Sequence, residues 1–234
     1  MVPLNFGFSL KLKFKKNWWK ILAVILVLYT IIAGFLLEVP RLPILNETIR
    51  NLYFHVTMWF AMMIILLVSL VYSIRYLSGY NINDDIIASE AAKTGIFLGV
   101  LGLLTGMVWA KFTWGDWWVN DPKLNGAAIT MLIYLAYLVL RNSLDEEQKK
   151  GRVAAVYNIF AYIMLIVFLM ILPRMTDSLH PGNGGNPGFG GYDLNNNMKL
   201  VFYPAIIGWT LLGVWMMNLR IRTRKIERKL QYND

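Results

Sequence analysis

The 234-residue sequence predicts an all-α, polytopic membrane protein with six transmembrane helices and both termini in the cytoplasm. Hydrophobic residues make up 57% of the chain and charged residues 16%, against about 45–50% and about 25% in soluble domains. The apolar residues form long blocks that a single soluble core of this size could not bury. A bilayer core about 30 Å thick requires roughly 20 apolar residues per helix, and six such blocks occupy most of the chain.

Residues 1–234 are therefore predicted to form a single integral membrane domain with six spans. The first span follows a basic segment without a signal-peptide cleavage site after it, so we expect a retained anchor. The fourth is short for a span, and we expect its helix to begin inside the preceding loop. The approximate bounds of the six are 21–37, 53–74, 94–112, 126–140, 153–172 and 200–219.

The distribution of Lys and Arg predicts the orientation. The N-terminal segment, the second and fourth loops and the C-terminal tail together carry 17 of these residues, and the other three loops carry 6. Because loops rich in positive charge remain in the cytoplasm, both termini are predicted to lie there. The net charge of +9 then reflects membrane topology, and no nucleic-acid partner is inferred from it.

The sequence contains no cysteine and only two histidines, His55 and His180. The missing cysteine excludes disulfides, thiolate metal sites and covalent cofactor attachment through a C-x-x-C-H motif. His55 begins the second span at its outer face, and His180 lies in the outer loop 174–198. Each has a plainer alternative, as an interfacial hydrogen-bonding residue or an exposed loop residue. The Gly- and Asn-rich run 181–191 predicts a mobile loop that closes over a ligand or touches a partner.

The outer loop at about 112–124 is rich in tryptophan. A short interfacial helix here would place Trp114, Trp117 and Trp118 on one face, and Asp121 would continue that face by another turn. Three indoles would then form a broad apolar platform suited to a large planar ligand. The alternative is an aromatic belt, because tryptophan gathers at membrane interfaces.

Two outer histidines beside such a platform predict non-covalently bound heme b, with His55 and His180 as ligands of the iron. Neutral imidazole is a common axial ligand of heme iron. The two heme propionates require cations, and Arg50, Lys123 and Arg174 lie on the same predicted side. Each of these cations could instead contact lipid headgroups.

The segment Trp114-Gly115-Asp116-Trp117-Trp118-Val119-Asn120-Asp121 resembles the tryptophan-rich WWD signature of heme-handling proteins of cytochrome c maturation. With six spans and two outer histidines, the chain resembles the heme exporter protein C (CcmC) family over nearly its whole length. The resemblance implies that the WWD segment, with Trp114, Trp117, Trp118 and Asp121, is the bed for heme, and that His55 and His180 are its axial ligands.

The same resemblance implies the partners and the location. Heme would pass to a membrane-anchored periplasmic heme chaperone, and an ABC transporter with membrane and ATPase subunits would drive its release. A small single-span helper protein would join this complex in the bacterial inner membrane. The leading prediction is thus a non-catalytic heme-binding and heme-presenting protein.

The alternative function is that of a cytochrome c synthase (heme lyase) component of the related WWD branch. The family pattern usually has Trp before the final Asp, whereas this chain has Asn120, and Pro122-Lys123 leans toward the synthases. Those proteins are longer and carry further histidines within their spans. A secondary transporter without a cofactor is disfavoured, because the sequence has neither internal repeats nor broken spans.

Overall fold

The computed structural model describes residues 6–41, 45–180 and 194–232. Over these ranges all regular structure is helical, and six helices are long and apolar enough to cross a membrane. The predicted all-α class with six spans is confirmed, while the orientation of the termini stays a prediction. The elements are α1 (Phe6–Leu36), a 3-10 helix (Asn46–Tyr53), α2 (His55–Gly79), α3 (Ile82–Trp114), α4 (Pro122–Asn142), α5 (Glu147–Ile166), a π-helical turn (Val167–Ile171), α6 (Leu172–Met175) and α7 (Asn196–Tyr232).

The third helix begins about one-third of its length earlier than the apolar pattern predicts. Its start is stabilised by the Asn81 side chain, which accepts a hydrogen bond from the backbone N–H of Asn83 at 2.9 Å. Asp84 and Asp85 occupy the first turn, where carboxylates interact favourably with the helix dipole. Hydropathy alone misses this polar first part of α3. The fourth helix begins at Pro122, inside the predicted loop as expected.

The fifth span widens into a π-helical turn before α6. Pro173 lies in the first turn of α6. In a continuous α-helix its ring would clash with the carbonyl four residues earlier, and its nitrogen donates no hydrogen bond. The wider turn at Val167–Ile171 accommodates this proline. It also brings the Phe168 carbonyl against Gly126 of α4.

Within the bundle, α2 is central and packs against α3, α5 and α7, and its contact with the antiparallel α3 is the most extensive. Four glycines on α3 recur at intervals of four, three and four residues and face α2. They form the glycine seam: Gly95, Gly99, Gly102 and Gly106. The side chains of α2 that meet them, in the same order, are Leu66, Met62, Trp59 and His55. Small residues at such a seam let two membrane helices approach closely.

Buried polar contacts link the helices further. The Asn158 side chain of α5 donates to both Ser69 Oγ and Ser73 Oγ of α2 at 2.8 Å. Ser69 in turn donates to the Ala88 carbonyl of α3 at 2.7 Å. Arg141 at the end of α4 forms a bidentate ion pair with Asp85, with N–O distances of 2.7 and 2.6 Å. These contacts set the rotation of α2, α4 and α5 around α3.

Replacement of Arg141 by alanine is expected to destabilise the fold strongly, because Asp85 is then a buried charge without its partner. The two side chains are only 12% and 7% exposed, and breaking a buried pair costs about 3–5 kcal/mol. Arg75→Ala is the matched control, since Arg75 is 60% exposed and lies 3.7 Å from Asp84, a pair worth about 1 kcal/mol or less. Thermal unfolding in detergent measures both; equal midpoints for the two variants would contradict the assignment.

Candidate functional site

A single cavity brings together both histidines at one end of the bundle, which we call the site end. Its walls come from the 3-10 helix, α2, α3, α4, the π-helical turn, α6 and the loops that carry Trp118 and His180. Most of the lining is aliphatic or aromatic. The polar and charged residues that line it are Asn51, His55, Lys123, Arg174 and His180.

His55 is positioned by helix packing. It is the first residue of α2, and its Nδ1 lies 2.8 Å from the Gly102 carbonyl of α3. A carbonyl oxygen only accepts hydrogen bonds, so Nδ1 carries the proton and Nε2 keeps its lone pair. The close approach depends on Gly106, where a Cβ atom would stand 2.5 Å from His55 Cε1. The Trp59 ring, one turn further along α2, contacts the imidazole edge-on at 6.2 Å between centroids.

His180 is positioned by side chains. Its Nδ1 lies 2.9 Å from Asp121 Oδ1, so this ring also has its proton on Nδ1 and a lone pair on Nε2. The indoles of Trp109 and Trp114 contact the ring at centroid distances of 5.3 and 4.8 Å. Burial lowers the pKa of His180, and the Asp121 carboxylate opposes this shift without reversing it. The neutral form, which can bind a metal, is therefore favoured.

Asp121 is almost completely buried and holds three parts of the site end together. Its side chain caps the start of α4 by accepting from the backbone N–H groups of Lys123 and Leu124. It also accepts from Ser178 Oγ at 2.8 Å and from the Leu179 N–H at 2.7 Å. Burial alone would raise the pKa of Asp121, but the hydrogen bonds from His180, Ser178 and Leu179 hold it below its usual range. Asp121 is thus an ionised acceptor.

The WWD segment does not form the helical platform that its spacing predicts. Helix α3 continues to Trp114 and ends at Gly115, whose φ of 91° is left-handed and terminates a helix readily. Asp121 is extended because it precedes Pro122 at the start of α4. The segment between them is irregular, so the three indoles do not share a helix face.

The three predicted tryptophans occupy different surroundings. Trp118 lines the cavity, and its Nε1 lies 3.3 Å from Asn125 Oδ1. Trp114 packs on Trp109 and His180, and Trp117 is 53% exposed. Of the three, Trp118 contributes to the cavity wall directly and Trp114 acts through His180.

The structure separates the three predicted cations. Lys123 and Arg174 line the cavity, and Arg174 also donates to the Met170 carbonyl at 2.9 Å. Arg50 is directed elsewhere. Its guanidinium pairs with Glu47 and donates to the Gly34 and Leu37 carbonyls at the end of α1. Arg50 therefore fixes α1 to the 3-10 helix and does not line the cavity.

Two tryptophans that line the cavity were not among the predicted site residues. Trp59 and Trp109 both line the cavity, and each contacts one of the histidines. A spacing signal exists for Trp59, which is four residues after His55 and so on the same helix face. Trp109 has no such signal, because its contact with His180 joins distant parts of the chain. The Gly-rich run 181–191 lies outside the described residues.

The side chains available as metal ligands distinguish a site for a bare metal ion from a site for a metal held in a cofactor. Over residues 6–41, 45–180 and 194–232, no group of three or more His, Asp or Glu side chains converges as a bare-ion site would require. Two imidazoles with available Nε2 atoms would instead suit an iron that a planar ring such as heme already holds. The mostly apolar wall, together with Lys123 and Arg174, would suit a flat ring with carboxylate substituents.

The fold and the cavity thus define a multi-pass helical membrane protein with a two-histidine site at one end of the bundle. The heme exporter protein C family model matches residues 8–234. The chain belongs to this family, as its WWD segment and two histidines predict.

Two relatives that carry the family name are similar to this chain over most of its length. The heme exporter protein C of Rhodobacter capsulatus is 24% identical across 91% of this chain and 88% of its own length. The protein of the same name from Paracoccus denitrificans is 25% identical across 79% and 76%. A local match, 41% identical over 85 residues, joins 36% of this chain to 26% of a cytochrome c biogenesis protein CcsA of Prochlorococcus marinus.

Gly106→Ala is expected to destabilise the protein by about 1–3 kcal/mol, the usual cost of overpacking, because the new methyl group displaces the His55 imidazole. Gly79→Ala is the matched control, since nothing lies within 4 Å of a Cβ at that position.

A double-mutant cycle with His55→Ala isolates the cause. Without the imidazole, Gly106→Ala should lose most of its cost in thermal unfolding. An equal cost with and without the His55 ring would contradict the contact.

Proposed function

We propose that this protein binds heme between His55 and His180 and presents it to a periplasmic heme chaperone during cytochrome c maturation. One observation carries the proposal: two histidines from distant parts of the chain line one cavity, and each Nδ1 is hydrogen-bonded to an acceptor. Hydrogen-bonded Nδ1 atoms leave both Nε2 atoms as metal ligands. Membership of the heme exporter protein C family supports heme handling as the general role.

Heme, when bound, would supply an iron that takes imidazole nitrogen as a ligand and two negatively charged propionates. The chain's own residues perform the remaining tasks. His55 and His180 coordinate the iron, Trp118 and the aliphatic wall exclude water, and Lys123 and Arg174 pair with the propionates. Since the sequence contains no cysteine, the protein holds this cargo through coordination and packing. Such binding is reversible, as a presenting protein requires.

The proposal extends to the assembly. The family name implies a heme export complex in a membrane, and six apolar helices support a multi-pass protein. We propose the bacterial inner membrane as its location, with ABC transporter membrane and ATPase subunits and a single-span helper as neighbours. In this role the protein makes and breaks no covalent bond of its cargo and is not an enzyme.

The principal test is the absorption spectrum of detergent-purified protein reconstituted with hemin. The wild type should give a low-spin, six-coordinate spectrum. His55→Ala and His180→Ala should each lose that signature, and the double variant should lose most of the bound heme as well. Heme content and spectrum unchanged in the double variant would overturn the proposal.

The two cavity cations should contribute to affinity, and Arg50 should not. Lys123→Ala and Arg174→Ala are each expected to raise the Kd for hemin about tenfold, since one charge-assisted hydrogen bond is worth about 1.5–3 kcal/mol. Arg50→Ala is the control with the same change of charge at the same end. Equal Kd values for all three variants would refute the propionate assignment while leaving the axial ligands intact.

A heme lyase component is the second candidate. Over 85 residues this chain is 41% identical to the CcsA relative, a higher identity than the 24% and 25% that it shares with the two exporter relatives over longer stretches. The partner distinguishes the two functions. Purified heme-loaded protein that retains apocytochrome c on an affinity resin, and not a periplasmic heme chaperone, would support the lyase. The reverse result would support presentation.

A further inference from the structure

We propose that Asp121 is a positioning residue for His180, rather than part of the heme bed, and that it sets both the place and the donor strength of that ligand. The inference rests on the proposed function, because it concerns an axial ligand of bound heme. Its ground is geometric: one buried carboxylate contacts the His180 ring, the backbone that carries the ring, and the start of α4.

The two carboxylate oxygens of Asp121 have different tasks. Oδ2 holds the chain just before the ligand, since it accepts from Ser178 Oγ and from the Leu179 N–H. Ser178 Oγ then accepts from the backbone N–H of His180 at 3.1 Å. Oδ1 accepts from the imidazole Nδ1 at 2.9 Å and from two amides at the start of α4. The ring and its backbone are thereby fixed relative to a transmembrane helix.

The charge of Asp121 also changes the chemistry of the ligand. A carboxylate facing Nδ1–H makes an imidazole a better electron donor at Nε2, and such second partners commonly orient and tune metal-bound histidines. His55 has a neutral carbonyl in the same position. The two axial ligands therefore differ in donor strength, and the nearby negative charge favours ferric over ferrous iron.

Asparagine cannot replace Asp121 in this arrangement. If its oxygen faces His180, its NH2 group faces the Leu179 N–H, and two donors meet. If the amide is flipped, its NH2 group faces Nδ1, so the imidazole proton moves to Nε2 and blocks coordination. Only the first orientation keeps the cap of α4, because in the second the NH2 group also faces the N–H groups of Lys123 and Leu124. Asp121→Asn therefore disturbs the support of His180 in either orientation.

The first experiment compares Asp121→Asn with Asp116→Asn, each as the full chain in detergent, reconstituted with hemin. Asp116 is exposed in the same loop, so the change of charge is matched. We expect Asp121→Asn to lose low-spin character and to shift the heme midpoint potential positively, with Asp116→Asn close to wild type. Asp121→Ser, which also keeps a capping oxygen but cannot reach His180, should behave as Asp121→Asn does. A wild-type spectrum and potential in both Asp121 variants would overturn the inference.

The second experiment removes the His180 side chain and supplies free imidazole in its place. In His180→Gly, added imidazole should restore the low-spin spectrum, because Asp121 still accepts from its N–H. In His180→Gly with Asp121→Asn, about tenfold more imidazole should be required. Equal half-saturation concentrations would show that Asp121 is only structural and would overturn the inference. Failure of the proposed function looks different: wild-type protein would then lack histidine-ligated heme altogether.

Discussion

The close packing of α2 on α3 is the constraint on which the other features of the molecule depend. Four glycines on α3 remove the side chains that would keep the helices apart, and four larger residues on α2 fill the space residue by residue. This antiparallel contact ends at His55 and Gly106, at the edge of the cavity. A shift of one helix along the other would therefore move His55 as well as the packing contacts, because His55 belongs to the same seam.

The two histidines are held by different physical means. His55 depends on backbone: it begins a helix, contacts a carbonyl and lies against a glycine. His180 depends on side chains, with Asp121 at Nδ1 and indoles on its ring. The first arrangement is as rigid as the helix pair, whereas the second links loop 176–180 to the start of α4. The two residues proposed to bind heme are therefore supported differently, one by backbone contacts and the other by side chains.

Passing heme on, as proposed, would limit how tightly the protein binds it. In the proposed function, coordination by neutral imidazole, contact with apolar walls and pairing with Lys123 and Arg174 would all be released without breaking a covalent bond. At the opposite end of the bundle, buried ion pairs such as Asp85 with Arg141 keep α3 and α4 together. The buried ion pair and the two-histidine cavity are thus at opposite ends of the bundle.

The sequence by itself determined the six spans, the all-α class, the family and the two histidines, because hydropathy, charge and a short motif are local properties. The regular spacing of the four seam glycines is also present in the sequence. Its meaning becomes clear only when the structure shows which residues of α2 pack on them. The WWD segment does not form the interfacial helix considered from its spacing, because Gly115 ends one helix and the extended Asp121 before Pro122 starts another. Only the tertiary structure decided that Asp121 contacts His180, that Trp109 supports it and that Arg50 faces α1. These are contacts between residues more than ten positions apart, and their geometry depends on how whole helices pack.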